Sequence, residues 1–160
     1  MMVVVCNSTP LIALSRIGKL ELLREYFSEV YVPGEVYDEV VTRGEGLSGE
    51  KEVKSVDWIK VEMVTNEIAV DSLCTTLDRG ESEVIVLARE KNALLILDDG
   101  DGRRIARSLG LKIAGTIGLL LLAAEDGTLD LKRSIEDLMP AGFRLSKKEY
   151  AKIVFGVMGG

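Results

Sequence analysis

Short β-branched or apolar runs alternate with helical segments along the whole chain, and that alternation restricts the fold more than any other feature. The runs cover residues 3–6, 30–32, 58–64, 92–97 and 111–114. Between them lie segments of helical periodicity at 11–17, 20–27, 35–42, 66–77, 81–91 and 103–109, and further ones follow at 117–125, 129–138 and 150–157. Strands separated by helices pair in parallel, and a parallel sheet needs cover on both faces. The expected fold is therefore α/β, with helices on both faces of a central, mostly parallel sheet.

Local signals set the boundaries. Ser8 or Thr9 can cap the first helix, with Pro10 in its first turn. Gly18 and Gly110 stop helices. Residues 44–55 are polar and Gly-rich and are expected to be a surface loop. Ser146, Lys147, Lys148 and Glu149 form a capping box for the last helix. No repeat or linker divides the 160 residues, so a single domain, 1–160, is expected.

The composition narrows the chemistry. Hydrophobic residues make up 47% of the chain and charged ones 29%, which describes a compact protein rather than a disordered one. The apolar stretch 117–124 is too short to span a bilayer, and the N-terminus lacks the pattern of a signal peptide. A cytoplasmic location is the expectation. The net charge of -6 weighs against nucleic acid as a partner unless a local patch outweighs it. Histidine is absent, which removes imidazole as base, nucleophile or ligand. Cys6 and Cys74 make neither a disulfide framework nor a zinc site. Glutamine is absent while Glu, Lys and Arg are plentiful, a composition of the thermophile kind.

Carboxylates are left to carry any reaction. The run 92–97 ends abruptly in Asp98 and Asp99, with Asp101, Arg103 and Arg104 close behind. Adjacent carboxylates repel, and either the arginines or a bound metal ion would relieve them. The alternative is turn chemistry, with Asp101 capping the next helix. At about 100° per residue, Glu81 falls on the apolar face of its helix, defined by Val84, Ile85, Leu87 and Ala88. Glu83 falls nearly opposite and reads as a solvated acid. Glu81 could instead only complement the helix dipole. Glu39 sits at the edge of the face formed by Val36, Tyr37, Val40 and Val41; there it is either a site acid or the partner of a nearby cation. Asn7, Glu81, Asp98 and Asp99 lie at strand ends or helix starts, at one edge of the sheet. A carboxylate cluster without histidine suits magnesium or manganese, ions that support phosphodiester cleavage.

Five motifs together resemble the PIN-domain nucleases, in particular small archaeal and bacterial PIN-like proteins. They are Val-Cys-Asn7-Ser8-Thr9-Pro10-Leu-Ile, Val-Pro33-Gly-Glu-Val-Tyr-Asp-Glu39-Val, Leu-Asp-Arg-Gly80-Glu81-Ser-Glu83-Val-Ile, Leu-Asp98-Asp99 with Arg103, and Ala-Gly115-Thr116-Ile-Gly. The resemblance runs from Val3 to about Leu145. It implies a three-layer α/β/α sandwich with an acidic pocket for Mg2+ or Mn2+. It also implies endoribonuclease activity, often that of the toxin in a toxin–antitoxin pair, with RNA and an antitoxin protein as partners and a homodimer as the assembly. Glu39, Glu81, Asp98 and Asp99 match the family's acids. Asn7, Glu81, Asp98 and Asp99 would hold the metal. Ser8, Thr9, Arg103, Arg104 and Thr116 would face RNA. Asn7 departs from the aspartate most such nucleases carry. It offers a carbonyl oxygen without charge, which supports a second reading: a PIN-like module that binds RNA or protein without cleaving. A receiver-like signalling domain needs its acidic pair after the first strand, and none is there.

Overall fold

The computed structural model describes residues 2–127, 129–141 and 151. Five strands form one sheet: β1 (Met2–Cys6), β2 (Phe27–Pro33), β3 (Ile59–Glu62), β4 (Leu94–Ile96) and β5 (Ile113–Ala114). Their order is β3-β2-β1-β4-β5 and every pairing is parallel. Val4, Val5 and Cys6 in β1 and Leu95 and Ile96 in β4 are fully buried. Consecutive buried residues in a strand mean that both sheet faces are covered. The cover comes from α1 (Ser8–Arg16), α2 (Leu22–Tyr26), α3 (Gly34–Tyr37), α4 (Glu50–Ser55), α5 (Glu67–Leu73), α6 (Arg79–Lys91) and α7 (Gly100–Ser108). The result is the expected three-layer α/β/α sandwich.

The strand order places the site. The chain moves outward from β1 to β2 to β3, then returns to the other side of β1 for β4 and β5. Between β1 and β4 the direction of winding reverses. Such a switch point leaves a crevice beyond the carboxyl ends of its two strands. Asn7 follows β1 there, and its N–H donates to the Ile96 carbonyl of β4 at 3.1 Å. Asp98 and Asp99 follow β4 a few residues later.

Three local expectations change. Residues 44–55 are not all loop, because 50–55 form α4, with Val53 buried. Gly49, at φ +101°, precedes α4 and donates its N–H to the Glu52 carboxylate at 2.8 Å, a local closure that starts the helix. The helix expected over 35–42 is α3 followed by a π-helical turn, Asp38–Thr42, in which the Arg43 N–H reaches the Asp38 carbonyl at 2.7 Å. Such wide turns recur at functional sites, and Glu39 lies in this one. Finally, α7 starts at Gly100 and is capped by Asp99 rather than Asp101, with the Gly102 N–H donating to Asp99 Oδ2 at 3.0 Å.

The chain parts into two compact units, Met1–Thr116 and Ile117–Gly160. The first holds the whole sheet. In the second, α8 (Thr116–Glu125) continues beyond its first residue, and α9 (Leu131–Leu138) precedes a 3-10 turn, Met139–Ala141. Leu131, Ser134, Ile135 and Leu138 bury one stripe of α9. The helix expected at 150–157 and its capping box lie outside the described residues, Ala151 excepted. Among the described residues, no helix is long and apolar enough to cross a membrane.

Candidate acidic site

The first turn of α6 gathers the acids. Asp78 occupies the N-cap position, and its Oδ1 accepts the Glu81 N–H at 2.8 Å. Its carbonyl accepts the Ser82 hydroxyl at 2.8 Å. Gly80 follows, and its missing side chain matters. A Cβ there would strike Glu39 Oε1 and lie 3.6 Å from Asp78 Oδ1. Gly102 in α7 repeats the device: a Cβ would lie 3.0 Å from Glu81 Oε2 and 3.6 Å from Asp99 Oδ2. Two glycines thus leave the space in which Glu39, Asp78, Glu81 and Asp99 approach one another.

Glu81 is the electrostatic centre of this group. Its Oε2 is buried and accepts no hydrogen bond from a donor group. Burial, the shared-proton contacts to Asp78 and Asp99, and the charges of those two acids push its pKa up to about 8. Asp99 moves the other way, held below the usual carboxylate range by the Gly102 N–H and then by the proton on Glu81. Burial raises Glu39, the Ser8 hydroxyl opposes that rise, and the charges of Asp78 and Glu35 add to it. A proton on Glu81 relieves the repulsion among these carboxylates.

Asp98 is engaged differently. Both its oxygens face Thr116, accepting the Thr116 N–H at 2.8 Å and the hydroxyl at 2.6 Å. Gly115 makes room, since a Cβ would lie 2.8 Å from Asp98 Oδ1 and 3.0 Å from Arg103 Nη1. That same nitrogen donates to the Leu97 carbonyl at 2.7 Å, fixing the guanidinium to the end of the strand. The Cys6 thiol, buried nearby, is raised by desolvation and then by the Asp98 charge, so it stays protonated.

The sequence-derived candidates separate accordingly. Glu39, Glu81, Asp99 and Ser8 come together. Asp98, Thr116 and Arg103 form an adjoining group. Asn7 is 5% exposed at the N-cap position of α1, where its side chain does not cap the helix. Thr9 is exposed on the first turn of α1. Arg104 points away, paired with Asp101 at 3.5 Å on the solvated face of α7. Two acids behave unexpectedly. Asp78 was not among the candidates, although Asp78-Arg79-Gly80-Glu81 has the spacing of a capping box. Glu83, expected to be solvated, is 7% exposed. It accepts the Glu35 N–H at 3.3 Å and the Arg79 Nε–H at 3.0 Å. Phase within one helix could not reveal that a neighbouring helix would supply a donor.

Among the described residues, no three acidic or thiol side chains already stand as a ligand set for a metal. The chemistry of the donors nevertheless fits a hard dication. All are carboxylate oxygens, one of them a buried oxygen without a donor, and a dication could replace the shared proton in relieving their repulsion.

A family model described as a PIN domain matches residues 3–157. The chain belongs to the PIN-domain family. PIN domains generally use divalent metal ions and commonly bind RNA. The fold is also similar to a solved structure, a PilT N-terminus domain protein from the hyperthermophilic archaeon Sulfolobus solfataricus P2. The two share 20% identity with a TM-score of 0.57, over 81% of this chain and 95% of that one. None of the curated proteins matches the chain. In this PIN domain the acids converge at the switch point of the sheet, the place that general α/β topology assigns to a ligand.

Proposed function

We propose that this PIN domain is a divalent-metal-dependent ribonuclease. The observation that carries the reading is Glu81, a carboxylate with its pKa pushed up to about 8 among Glu39, Asp78 and Asp99, and without an ion pair among the described residues. A perturbed acid among convergent polar groups at a ligand-binding edge is a functional-site signature. Mg2+ or Mn2+ would be held by Glu81 and Asp99, with Asp78 and Glu39 flanking them and Asn7 supplying a neutral oxygen from the end of β1. When bound, such an ion lowers the pKa of a coordinated water and offsets phosphate charge.

The protein's own residues do the rest. Asp78 and Asp99 fix their carboxylates by capping α6 and α7, so little ordering remains at binding. Ser8 holds the Glu39 carboxylate. Asp98 and Thr116 lock β4 to the start of α8. The buried thiol of Cys6 stays neutral and takes no part. A toxin role, an antitoxin partner and a homodimer rest on the family resemblance. Asn7 favours a second reading, because a neutral residue at the end of β1 weakens the site's attraction for a dication. In that reading the chain binds RNA or protein without cleaving.

Titration calorimetry with MnCl2 on the wild type and on Glu81→Gln tests the proposal, together with cleavage of a single-stranded RNA. Binding and cleavage in the wild type, both lost in the variant, are expected. An absence of Mn2+ binding by the wild type supports the second reading instead.

A further inference from the structure

The acidic site is built from two pieces of backbone. Asp78 and Glu81 stand on the first turn of α6, while Glu39 stands on the π-helical turn that continues α3. Something must set the distance between those pieces. The helix α3 begins poorly: its N-cap residue is Pro33, which has no side-chain acceptor, and Gly34 follows. The first N–H groups of a helix need an acceptor, and a capping side chain normally gives one to the second or third residue. Here the second residue is Glu35, and its N–H donates to Oε1 of Glu83, which belongs to α6. Oε2 of the same carboxylate accepts the Nε–H of Arg79. Arg79 is itself held from the far side by Glu67 at 3.0 Å and Asp71 at 3.8 Å on α5.

We propose that Glu83 is a positioning residue that caps α3 from α6 and thereby sets the gap between Glu39 and the Asp78–Glu81 pair. Glu83 lies two residues beyond Glu81 on one helix, and its bonded partner Glu35 lies four residues before Glu39 on the other. One buried carboxylate therefore fixes both halves of the site in register, while Arg79 neutralises its charge and fixes its rotamer. Its oxygens are spent on Glu35 and Arg79, so Glu83 is not itself a ligand. The inference rests on the metal reading for its consequence but not for its geometry.

Two readouts separate these. The first is amide hydrogen exchange at Glu35, without metal, in the wild type, Glu83→Gln and Glu83→Ala. A glutamine keeps an oxygen that can accept the Glu35 N–H, whereas alanine removes it. Protection in the wild type and in Glu83→Gln, with loss in Glu83→Ala, is the expected pattern; equal protection in all three overturns the cap. The second is Mn2+ affinity by calorimetry. Glu83→Ala should weaken it about tenfold, the usual scale for a residue that orients a ligand, and Glu83→Gln by about threefold or less. Loss in Glu83→Gln as complete as in Glu81→Gln overturns the positioning role, because Glu83 would then be a ligand. If the wild type binds no Mn2+, the metal reading fails and the exchange data alone decide the cap. If Glu83→Ala does not fold, Arg79→Met takes its place: it frees the Glu83 rotamer, and reduced Glu35 protection is expected, with unchanged protection counting against the proposal.

Discussion

Two groups of charged side chains in the first unit show opposite treatments of a carboxylate. Around β2 and β3, Glu29 pairs with Lys60 at 3.5 Å and accepts the Tyr31 hydroxyl at 2.9 Å. Lys91 pairs with Glu62 and lies 4.5 Å from the centre of the Tyr31 ring. Every acid there faces a cation, and the Tyr31 hydroxyl and Lys60 hold Glu29 below the usual carboxylate range. At the carboxyl edge of β1 and β4, Glu81 meets the carboxyls of Asp78 and Asp99 and rises to about 8. Both groups are rich in acids, so acidity alone does not mark a site. What distinguishes the edge is a set of carboxylates turned toward one another, the arrangement on which the proposed metal site rests.

The comparison breaks most visibly in metal binding. Glu81→Gln should reduce Mn2+ affinity by about 100-fold or more, the upper end of what ligand-orienting changes already cause, whereas Lys60→Ala should leave it unchanged; calorimetry on both variants decides. Equal losses would mean that the two groups do not differ in kind. Next in size is Thr116→Val, which removes the hydroxyl donor from the Asp98 carboxylate. It should destabilise the fold by about 2 kcal/mol, the value of a hydrogen bond to a charged group, while Thr116→Ser loses less. Urea unfolding measures both.

A third test uses pH. Glu81 titrates near 8 when folded and near 4.5 when unfolded. Between those values the folded state holds a proton that the unfolded state releases. The stability it lends is complete below about 4.5 and lost as pH rises through about 8. Measured without metal, the thermal midpoint of the wild type should fall relative to that of Glu81→Gln between pH 5 and 8.5. Added Mn2+ should raise the wild-type midpoint at the higher pH and not that of the variant. A constant difference across the range would remove the electrostatic case for the site. Smallest of all should be Lys60→Ala on stability, because its ion pair is exposed to water; the urea midpoint should hardly move.

How much of this was legible in the sequence follows the range of the forces involved. The strands expected at 3–6 and 92–97 and the placing of Asn7, Glu81, Asp98 and Asp99 at one edge follow from local apolar runs and the rule for parallel sheets. Glu39 and Glu81 were placed by helical phase. Phase failed for Glu83, whose carboxylate accepts the Glu35 N–H from another helix. The turn carrying Glu39 is π-helical, a change in the angle per residue that phase did not show, although Glu39 still reaches the acidic group. Asp78 was not singled out, and the pairing of Arg104 with Asp101 follows from side-chain directions that sequence order does not give. The helix at 50–55 was hidden by Gly-rich surroundings, whose one closure, Gly49 to Glu52, is a detail of three residues.

The central place of β1 has a consequence for how the protein is made. Within this sheet the strand earliest in sequence is the middle one, and it acquires its second neighbour only when β4 has been synthesised. Asn7 cannot donate to Ile96 before that. A nascent chain ending before β4 exposes one bonding edge of an all-apolar strand, a liability for association with other chains. It also has no acidic pocket. The acidic group therefore assembles only once β4 and the residues after it have been made, a consequence of the strand order alone.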